Sequence, residues 1–158
     1  MLPGVTCTRL GADRCPGLLK PFVAQDGAII RLRVPGGRVR VSTLADLLAI
    51  GADHGAPLLS VTSRTNLQVR GLPDPLPEDV MVRAEATGLL PSPSHERARN
   101  ILAAPLAPDL QPLVAELDAA LCADPFLADL PGRFLFAVTD ATGAVLTEPV
   151  DAAYQALT

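Results

Sequence analysis

The chain has 158 residues, of which 49% are hydrophobic, and its 13 basic and 17 acidic side chains give a net charge of -4 at neutral pH. This length allows one compact domain or two small lobes that share a core, and the apolar content predicts a folded protein. The mild acidity argues against a nucleic-acid partner, which would call for a basic excess. No apolar run approaches the ~20 residues that cross a bilayer, and the first residues lack the features of a signal peptide. We therefore expect a cytoplasmic protein with no nucleic-acid or membrane partner.

The first half of the chain predicts a strand, a helix and two further strands. Residues 27–34 alternate apolar and polar side chains, as a half-buried strand does. Residues 42–55 carry leucines at helical spacing behind a capping Ser or Thr, which predicts a helix. Two more strands are predicted at 57–64 and 66–72. The proline- and acid-rich stretch 73–79 is the predicted domain boundary.

The second half of the chain predicts a further mixture of strands and helices. Residues 80–88 favour a short strand, and 96–107 favour a short helix or a functional loop. The clearest helix is 109–124, where leucines recur at i, i+4 and i+8. Residues 132–150 predict a hairpin that turns at DATG, and 151–157 a final helical turn. A solvated helix face accounts for three acidic residues: Asp109, Glu116 and Asp118. The predicted fold class is α+β.

One face of the predicted first sheet carries basic and neutral polar side chains, with no acidic residue among them. Residues two apart on a strand share a face, so neighbouring strands gather donors without any Asp or Glu. These residues are Arg31, Arg33, Thr62, Arg64, Asn66, Gln68 and Arg70. The ordinary explanation is the solvated side of an antiparallel sheet, but such faces mix both signs of charge. A donor-rich face predicts a ligand with several anionic groups, either phosphate or a polycarboxylate, although no glycine-rich phosphate loop is present.

The cysteines and histidines do not form a metal-binding pattern. Cys7, Cys15 and Cys122 lack the spacing of metal ligands, and we interpret them as structural or incidental thiols. His54 is predicted at a helix end, where a cation meets the negative end of the dipole. His95 is predicted in a solvated loop. No metal site is expected.

Four segments, in order, resemble the nitrite/sulfite reductase family. They are RLRVPGG (31–37), TSRTNLQVRG (62–71), RARNILAAPLA (97–107) and LPGRFLFAV (130–138). The first two resemble the ferredoxin-like half domain of these enzymes, and the third is similar to the start of their sirohaem domain. The fourth resembles the strand that brings basic residues to the haem pocket. Together with RCPGLL (14–19), it is similar to the precorrin-3B synthase branch of the family.

The resemblance implies a ferredoxin-like half domain at about 15–75 and a partial α/β sirohaem-type lobe at about 78–158. It implies the N-terminal, tetrapyrrole-binding half of a precorrin-3B synthase-like oxidoreductase of cobalamin biosynthesis, which hydroxylates precorrin-3A with oxygen and forms a lactone. One alternative is a non-catalytic half-module that binds sirohaem or another tetrapyrrole. Others are a fragment of a sulfite or nitrite reductase, and a remnant that folds but binds nothing.

Site residues follow from the same resemblance. The pocket residues that it implies for catalysis are Arg31, Arg99 and Arg133. The residues that it implies for binding the carboxylates of sirohaem or a precorrin are Arg33, Thr62, Arg64, Asn66, Gln68 and Asn100. Such donors suit a carboxylate rim, because charge-assisted hydrogen bonds are the stronger kind.

Two departures from the family pattern limit what this chain is expected to do. Leu135 stands where sulfite reductases have the second of two lysines. The family's Cys-x5-Cys and Cys-x3-Cys pairs, which hold a four-iron, four-sulfur cluster and the haem iron, are missing from the sequence. We therefore expect the chain to be inactive without a cluster-binding C-terminal half, and to pair with that half or with a second copy of itself.

Overall fold

A computed structural model describes residues 15–157, which form two sheets and three α-helices. The strands are β1 (Phe22–Ala24), β2 (Gly27–Leu32), β3 (Leu59–Val61), β4 (Leu67–Leu72), β5 (Ile101–Ala103), β6 (Phe136–Thr139) and β7 (Ala152–Gln155). The helices are α1 (Val41–Asp53), α2 (Glu78–Ala86) and α3 (Gln111–Ala123). The predicted α+β class is confirmed. None of the helices in this part of the chain has the length and apolar character that a membrane span requires.

The first sheet is antiparallel, with the strand order β1-β2-β4-β3. Its apolar face carries Ile30 and Leu32 from β2 and Val69 from β4, all of them buried in the first core. Helices α1 and α2 cover that face, with Leu47 from α1 and Val80 from α2 in the same core. Because strand residues alternate between faces, Arg31 and Gln68 are left on the opposite side. This packing is what gives the sheet its polar face.

The second sheet is parallel, with the strand order β5-β6-β7. Helix α3 packs on one face, where Val114 and Leu121 meet Ile101 and Val138. Leu102, Leu135 and Ala137 form a second small core with Val145 on the other face. Leu135, just before β6, is thus anchored in this small core. The residues that precede it, 132–133, lie toward the first sheet, where Arg64 donates to the Arg133 carbonyl.

Several predicted elements are confirmed, with bounds that differ by a few residues. They are the strand at 27–34, the helix at 42–55, the two strands at 57–64 and 66–72, and the helix at 109–124. The predicted Ser or Thr cap of α1 is wrong, because Arg40 occupies the N-cap position and gives no side-chain cap. Ser42 and Thr43 already lie inside the helix.

Four predictions in the second half differ from the structure. Residues 80–88 belong to helix α2 and its end, and 151–157 contain strand β7 where a helical turn was expected. The predicted hairpin at 132–150 does not form, because β6 pairs in parallel with both β5 and β7. The segment 96–107 holds a short strand, β5, where a helix or a loop was expected. The boundary predicted at 73–79 stays a prediction; α2, which follows it, packs in the first core.

Candidate functional site

Three arginines from separate elements line one cavity of about 340 Å³. Arg31 comes from β2, Arg64 from the loop between β3 and β4, and Arg133 from the segment before β6. The other lining residues are Cys15, Pro16, Ser63 and Gly132. No carboxylate is among these lining residues, so the cavity is a concentrated source of positive charge and hydrogen-bond donors.

Arg31 is held in place by its cross-strand neighbour Gln68. In the amide orientation that satisfies both groups, Gln68 Oε1 accepts from Arg31 Nε at 3.1 Å and from a terminal guanidinium nitrogen at 2.9 Å. Burial lowers the pKa of Arg31 from its ordinary value, Cys15 opposes that shift, and the Arg64 charge adds to it. The guanidinium is therefore half-desolvated, a condition that strengthens its bonds to an incoming anion.

Arg64 sits at the tip of the tight β3–β4 loop. Thr62 and Asn66 close this loop, because the Thr62 amide donates to the Asn66 carbonyl at 2.9 Å and the Asn66 amide donates to Thr62 Oγ1 at 3.1 Å. Thr65 has a φ of 58°, a left-handed conformation that costs a β-branched residue free energy. The Arg64 guanidinium donates to the Arg133 carbonyl at 2.6 Å. The loop thus joins the first sheet to the segment before β6.

Asn66 and Asn100 do not line the cavity; they are buried beneath it. The Asn66 amide group donates to Asn100 Oδ1 at 2.9 Å, and Asn66 Oδ1 accepts from the Val34 amide at 3.4 Å. Asn100 in turn donates to the Gly132 carbonyl at 3.1 Å and to the Arg97 carbonyl at 2.9 Å. This asparagine pair holds the β3–β4 loop against the segment that carries Arg133.

Arg33 lies at the end of β2 and is also buried, with 1% of its surface exposed. It donates to the Pro16 carbonyl at 3.0 Å. Glu96 holds the same segment from another side, since its carboxylate accepts from the Leu18 amide at 2.8 Å and the Leu19 amide at 3.0 Å. Two buried charged side chains therefore fix the segment that places Cys15 in the cavity wall.

A model of the family described as Nitrite/Sulfite reductase ferredoxin-like half domain matches residues 23–86, from within β1 to the end of α2. The match covers less than half of the 158 residues. Residues 23–86 are therefore similar to the ferredoxin-like half domain of nitrite and sulfite reductases. No curated protein matches the chain. The matched segment supplies Arg31 and Arg64 to the cavity, whereas Arg133 and Cys15 come from outside it.

A second cavity of about 450 Å³ adjoins the arginine-lined one, and Ser63 lines both. Its wall is largely apolar, with Leu102, Ala103 and Val145 on the side of the second sheet. The Gly36–Gly37 turn of the half domain forms the opposite side. At Gly37, φ is 69° and an added Cβ would come within 3.0 Å of the Thr65 side chain. Arg38 and Glu148 also line this second cavity, so the two cavities together offer a cationic end and a mostly apolar end that carries one charge of each sign.

Two other arginines of interest have acidic partners elsewhere. Arg99 is buried, and it makes a bidentate ion pair with Asp118 at 2.7 Å for each bond while donating to the Leu89 carbonyl at 2.9 Å. Arg99 therefore does not join the arginine cluster, and its role in catalysis stays a prediction. The expectation of a solvated face is wrong for Asp118. Arg70 pairs with Asp26 at 3.2 Å, so the far end of the polar sheet face does carry an acid.

The histidines contact groups outside the cavity. His95 is buried, so the prediction of a solvated loop histidine is wrong; its Nε2 lies 3.0 Å from the Asp124 carbonyl. His54 occupies the C-cap position of α1, as predicted, and contacts Asp79 at 2.8 Å. Cys7 lies outside the described residues. Within residues 15–157, no group of three His, Cys, Asp or Glu side chains is arranged to hold a metal ion.

The sequence reasoning missed Cys15, Ser63 and Gly132 as cavity residues, and also the role of Glu96. Cys15 and Gly132 lie within segments that resemble the family, but nothing in the sequence indicates that they line a cavity. Glu96 is separated by more than seventy residues from the amides that it binds. A contact of this kind has no periodicity or motif that could reveal it.

Proposed function

We propose that this chain is the tetrapyrrole-binding half of a precorrin-3B synthase-like oxidoreductase of cobalamin biosynthesis. The observation that carries it is the convergence of Arg31, Arg64 and Arg133 on one cavity whose lining holds no carboxylate. Guanidinium groups bind carboxylates through short, charge-assisted bonds, which are about twice as strong as neutral ones. A macrocycle fringed with acetates and propionates presents this kind of group along its rim.

The neighbouring apolar cavity supports a macrocyclic ligand over a small anion. A phosphate or sulfate would need only the cationic cavity, whereas a tetrapyrrole also has a wide apolar face to bury. The wall with Leu102, Ala103 and Val145 adjoins the cationic cavity through Ser63, so one ligand can contact both surfaces. Burial of apolar area stabilises such a complex by about 25 cal/mol per Å².

The environment of Leu135 favours a tetrapyrrole substrate over sulfite or nitrite reduction. Leu135 is fully buried in the small core of the second sheet, and its amide donates to Asp151 at 2.8 Å. A lysine in this position would lie among Leu102, Ala137 and Val145, away from the cationic cavity. Of the two positions that are lysines in sulfite reductases, 133 and 135, only Arg133 lines the cavity. The second cation, which would help to protonate an oxygen of sulfite or nitrite, is therefore missing.

An iron–sulfur cluster does not fit the described residues of this chain. The structure describes only two cysteines, Cys15 and Cys122, and a cluster of this kind takes four cysteine ligands. Electron delivery would therefore come from a second polypeptide or from another part of the enzyme. The role proposed for this chain is recognition and orientation of the tetrapyrrole through its carboxylates.

Sirohaem titration of the purified protein, followed by absorbance in the Soret region, tests this function. We expect saturable binding, and we expect Arg64→Gln to weaken it by roughly tenfold to a hundredfold, since a hydrogen bond to a charged group contributes about 1.5–3 kcal/mol. Arg70→Gln is the matched control, because Arg70 belongs to the same half domain but pairs with Asp26 outside the cavity. Its affinity should match that of the unmodified protein.

Two results would refute the proposed function. The first is a flat titration with a folded protein, which would favour a remnant that binds nothing. The second is equal loss of affinity in Arg64→Gln and Arg70→Gln, which would indicate general charge attraction. Binding of sirohaem without binding of a precorrin would instead favour the non-catalytic half-module.

A further inference from the structure

The β3–β4 loop contains a strained residue, Thr65, directly after Arg64. Among the described residues other than glycine, only Thr65 has a left-handed backbone, with a φ of 58°. Its amide donates to the Thr62 carbonyl at 3.0 Å, so the loop is a tight turn that ends in a left-handed residue. Glycine is the usual residue in this position of a short hairpin, because it has no Cβ to clash. A β-branched residue there costs free energy, and strain of this kind concentrates at functional sites.

The side chain of Thr65 packs against the Gly36–Gly37 turn. A Cβ added at Gly37 would lie 3.0 Å from Thr65 Cγ2 and 3.1 Å from Thr65 Cβ. Thr65 Oγ1 also donates to the Val34 carbonyl, at 3.4 Å. This bond is longer than hydroxyl hydrogen bonds usually are, so the packing contact contributes more than the bond to holding the side chain. A glycine at position 65 would have neither contact.

The same turn is packed on its other side by helix α3. A Cβ added at Gly36 would lie 3.0 Å from Val114 Cγ1, and Val114 is buried in the core beside α3. The Gly37 amide donates to the Val34 carbonyl at 2.9 Å, which closes the turn. Thr65 therefore rests on a closed turn that is itself held in place, and this contact fixes the backbone next to Arg64.

Arg64 needs such a fixed backbone to reach the cavity in one position. Its guanidinium donates to the Arg133 carbonyl at 2.6 Å, and its side chain lines the cavity of about 340 Å³. An arginine side chain has many rotamers, so a mobile loop would spread the guanidinium over many positions. A ligand would then have to order the loop, which lowers affinity, whereas a loop that is ordered in advance avoids this cost.

We propose that Thr65 is a positioning residue, whose left-handed backbone and contact with Gly37 hold the Arg64 guanidinium in the arginine-lined cavity. The effect on ligand affinity rests on the proposed function, but the position of Arg64 can be measured without any ligand. Thr65 also lines the second cavity, so direct contact between Thr65 and a ligand is the alternative that the experiment must separate.

NMR of ¹⁵N-labelled protein without a ligand tests the position of Arg64. Its guanidinium signals are identified by their absence in Arg64→Gln. In the unmodified protein we expect separate, slowly exchanging N–H signals, because one terminal nitrogen is hydrogen-bonded to the Arg133 carbonyl. Thr65→Gly should broaden or merge them. Thr65→Val should preserve them, because valine keeps the branched shape that packs on Gly37.

Gln25→Gly is the matched control for the added backbone freedom. Gln25 is exposed in the turn between β1 and β2, in the same sheet, and it lines neither cavity. Its replacement by glycine should leave the Arg64 signals and the ligand affinity unchanged.

Sirohaem titration of the same variants measures the consequence for binding. Thr65→Gly should weaken binding about fivefold, because the ligand must now order the loop residue itself, and Thr65→Val should recover most of this loss. If Thr65 acts through Arg64, adding Thr65→Gly to Arg64→Gln should cause no further loss of affinity. A residue that contacts the ligand directly would instead weaken binding equally in both backgrounds.

Several results would overturn the proposal. Arg64 signals that are unchanged in Thr65→Gly, or not distinct in the unmodified protein, would show that Thr65 does not fix the guanidinium. Sirohaem affinity that is unchanged in Thr65→Gly, or lowered equally with and without Arg64→Gln, would show that Thr65 does not act on binding through Arg64. If the unmodified protein binds no sirohaem, the proposed function fails, while the Arg64 signals still decide whether Thr65 positions this side chain.

Discussion

The arginines of the polar sheet face differ in the partners that the fold gives them. Arg31 and Arg64 reach the cavity, whereas Arg33 turns inward to the Pro16 carbonyl and Arg70 pairs with Asp26. Strand alternation places Arg31 beside Gln68 on one face, but Arg33 and Arg64 lie beyond the strand ends, and alternation does not indicate which arginines remain available. Their partners come from distant parts of the chain, and a single sequence contains no signal for them. The contrast between Arg64 and Arg70 is what makes a matched control possible.

At the same scale, Arg99 and Asp118 predict a structural role that can be measured. Arg99 is 4% exposed, and its Nε and one terminal nitrogen each donate to Asp118 at 2.7 Å. Removing one partner of a buried ion pair leaves an uncompensated charge, which costs about 3 kcal/mol or more. We expect Asp118→Asn to lower the free energy of unfolding in urea by this amount.

Glu116→Gln is the control for that substitution. Glu116 lies on the exposed side of the same helix, and surface changes of this kind stay within about 0.5 kcal/mol. If Asp118→Asn proves as mild as Glu116→Gln, the pair does not hold α3 in place. Arg99 would then be available for the pocket role that the family resemblance implies.

At the scale of elements, the sequence predicts correctly where local signals agree and fails where the partner is remote. The β3–β4 pair and α1 follow from alternation and helical spacing within the segments themselves. The apolar run of Val80, Met81 and Val82, two of them β-branched, predicts a strand where the structure has helix α2. The competing signals are the acidic first turn and Arg83 in the last turn, which match the helix dipole. The parallel pairing of β6 with β5 joins residues more than thirty apart, so a hairpin was predicted in its place.

The contact between α1 and α2 predicts a pH dependence of stability. The hydrogen bond from His54 lowers the pKa of Asp79, and the Arg83 charge adds to that shift. A carboxyl with a depressed folded-state pKa contributes stability above its unfolded value of ~3.9, and loses it as the pH falls through the folded value. We expect Asp79→Asn to be less stable than the unmodified protein at pH 7, and we expect the difference to be smaller at pH 2.5. Urea midpoints at the two pH values measure this.

Glu78→Gln provides the comparison, since it removes a carboxylate from the same first turn without touching the His54 bond. Its effect should be smaller at pH 7. A loss of stability in Asp79→Asn that is the same at both pH values would show that the substitution acts through packing or helix formation, with no contribution from the ionised carboxylate.

At the scale of the whole molecule, polar contacts join the core of the antiparallel sheet to the two cores of the parallel sheet. The first core lies between the antiparallel sheet and α1 and α2, and the others flank the parallel sheet. Between them run the Asn66–Asn100 bond, the Glu96 contacts with residues 18–19, and the bond from Arg64 to the Arg133 carbonyl. The candidate site lies on this junction, so residues 23–86 alone supply only part of its lining. The division into two lobes stays a prediction, and the sequence contains no signal for the buried asparagine pair.

The junction predicts that Asn100 couples the unfolding of the two lobes. Asn100 is 1% exposed, and it bonds to the Asn66 side chain and to the Arg97 and Gly132 carbonyls. Replacing it with alanine leaves these buried groups unsatisfied, at a cost of about 1–3 kcal/mol for each uncompensated one.

Hydrogen exchange monitored by mass spectrometry can follow β4 and β6 separately. In the unmodified protein we expect both strands to open with the same free energy, as parts of one cooperative unit. In Asn100→Ala, β6 should open more readily than β4, because the second lobe has the smaller cores. If both strands lose protection equally, or if they already differ in the unmodified protein, then the asparagine pair does not couple the lobes, and the alignment of Arg64 with Arg133 must depend on other contacts.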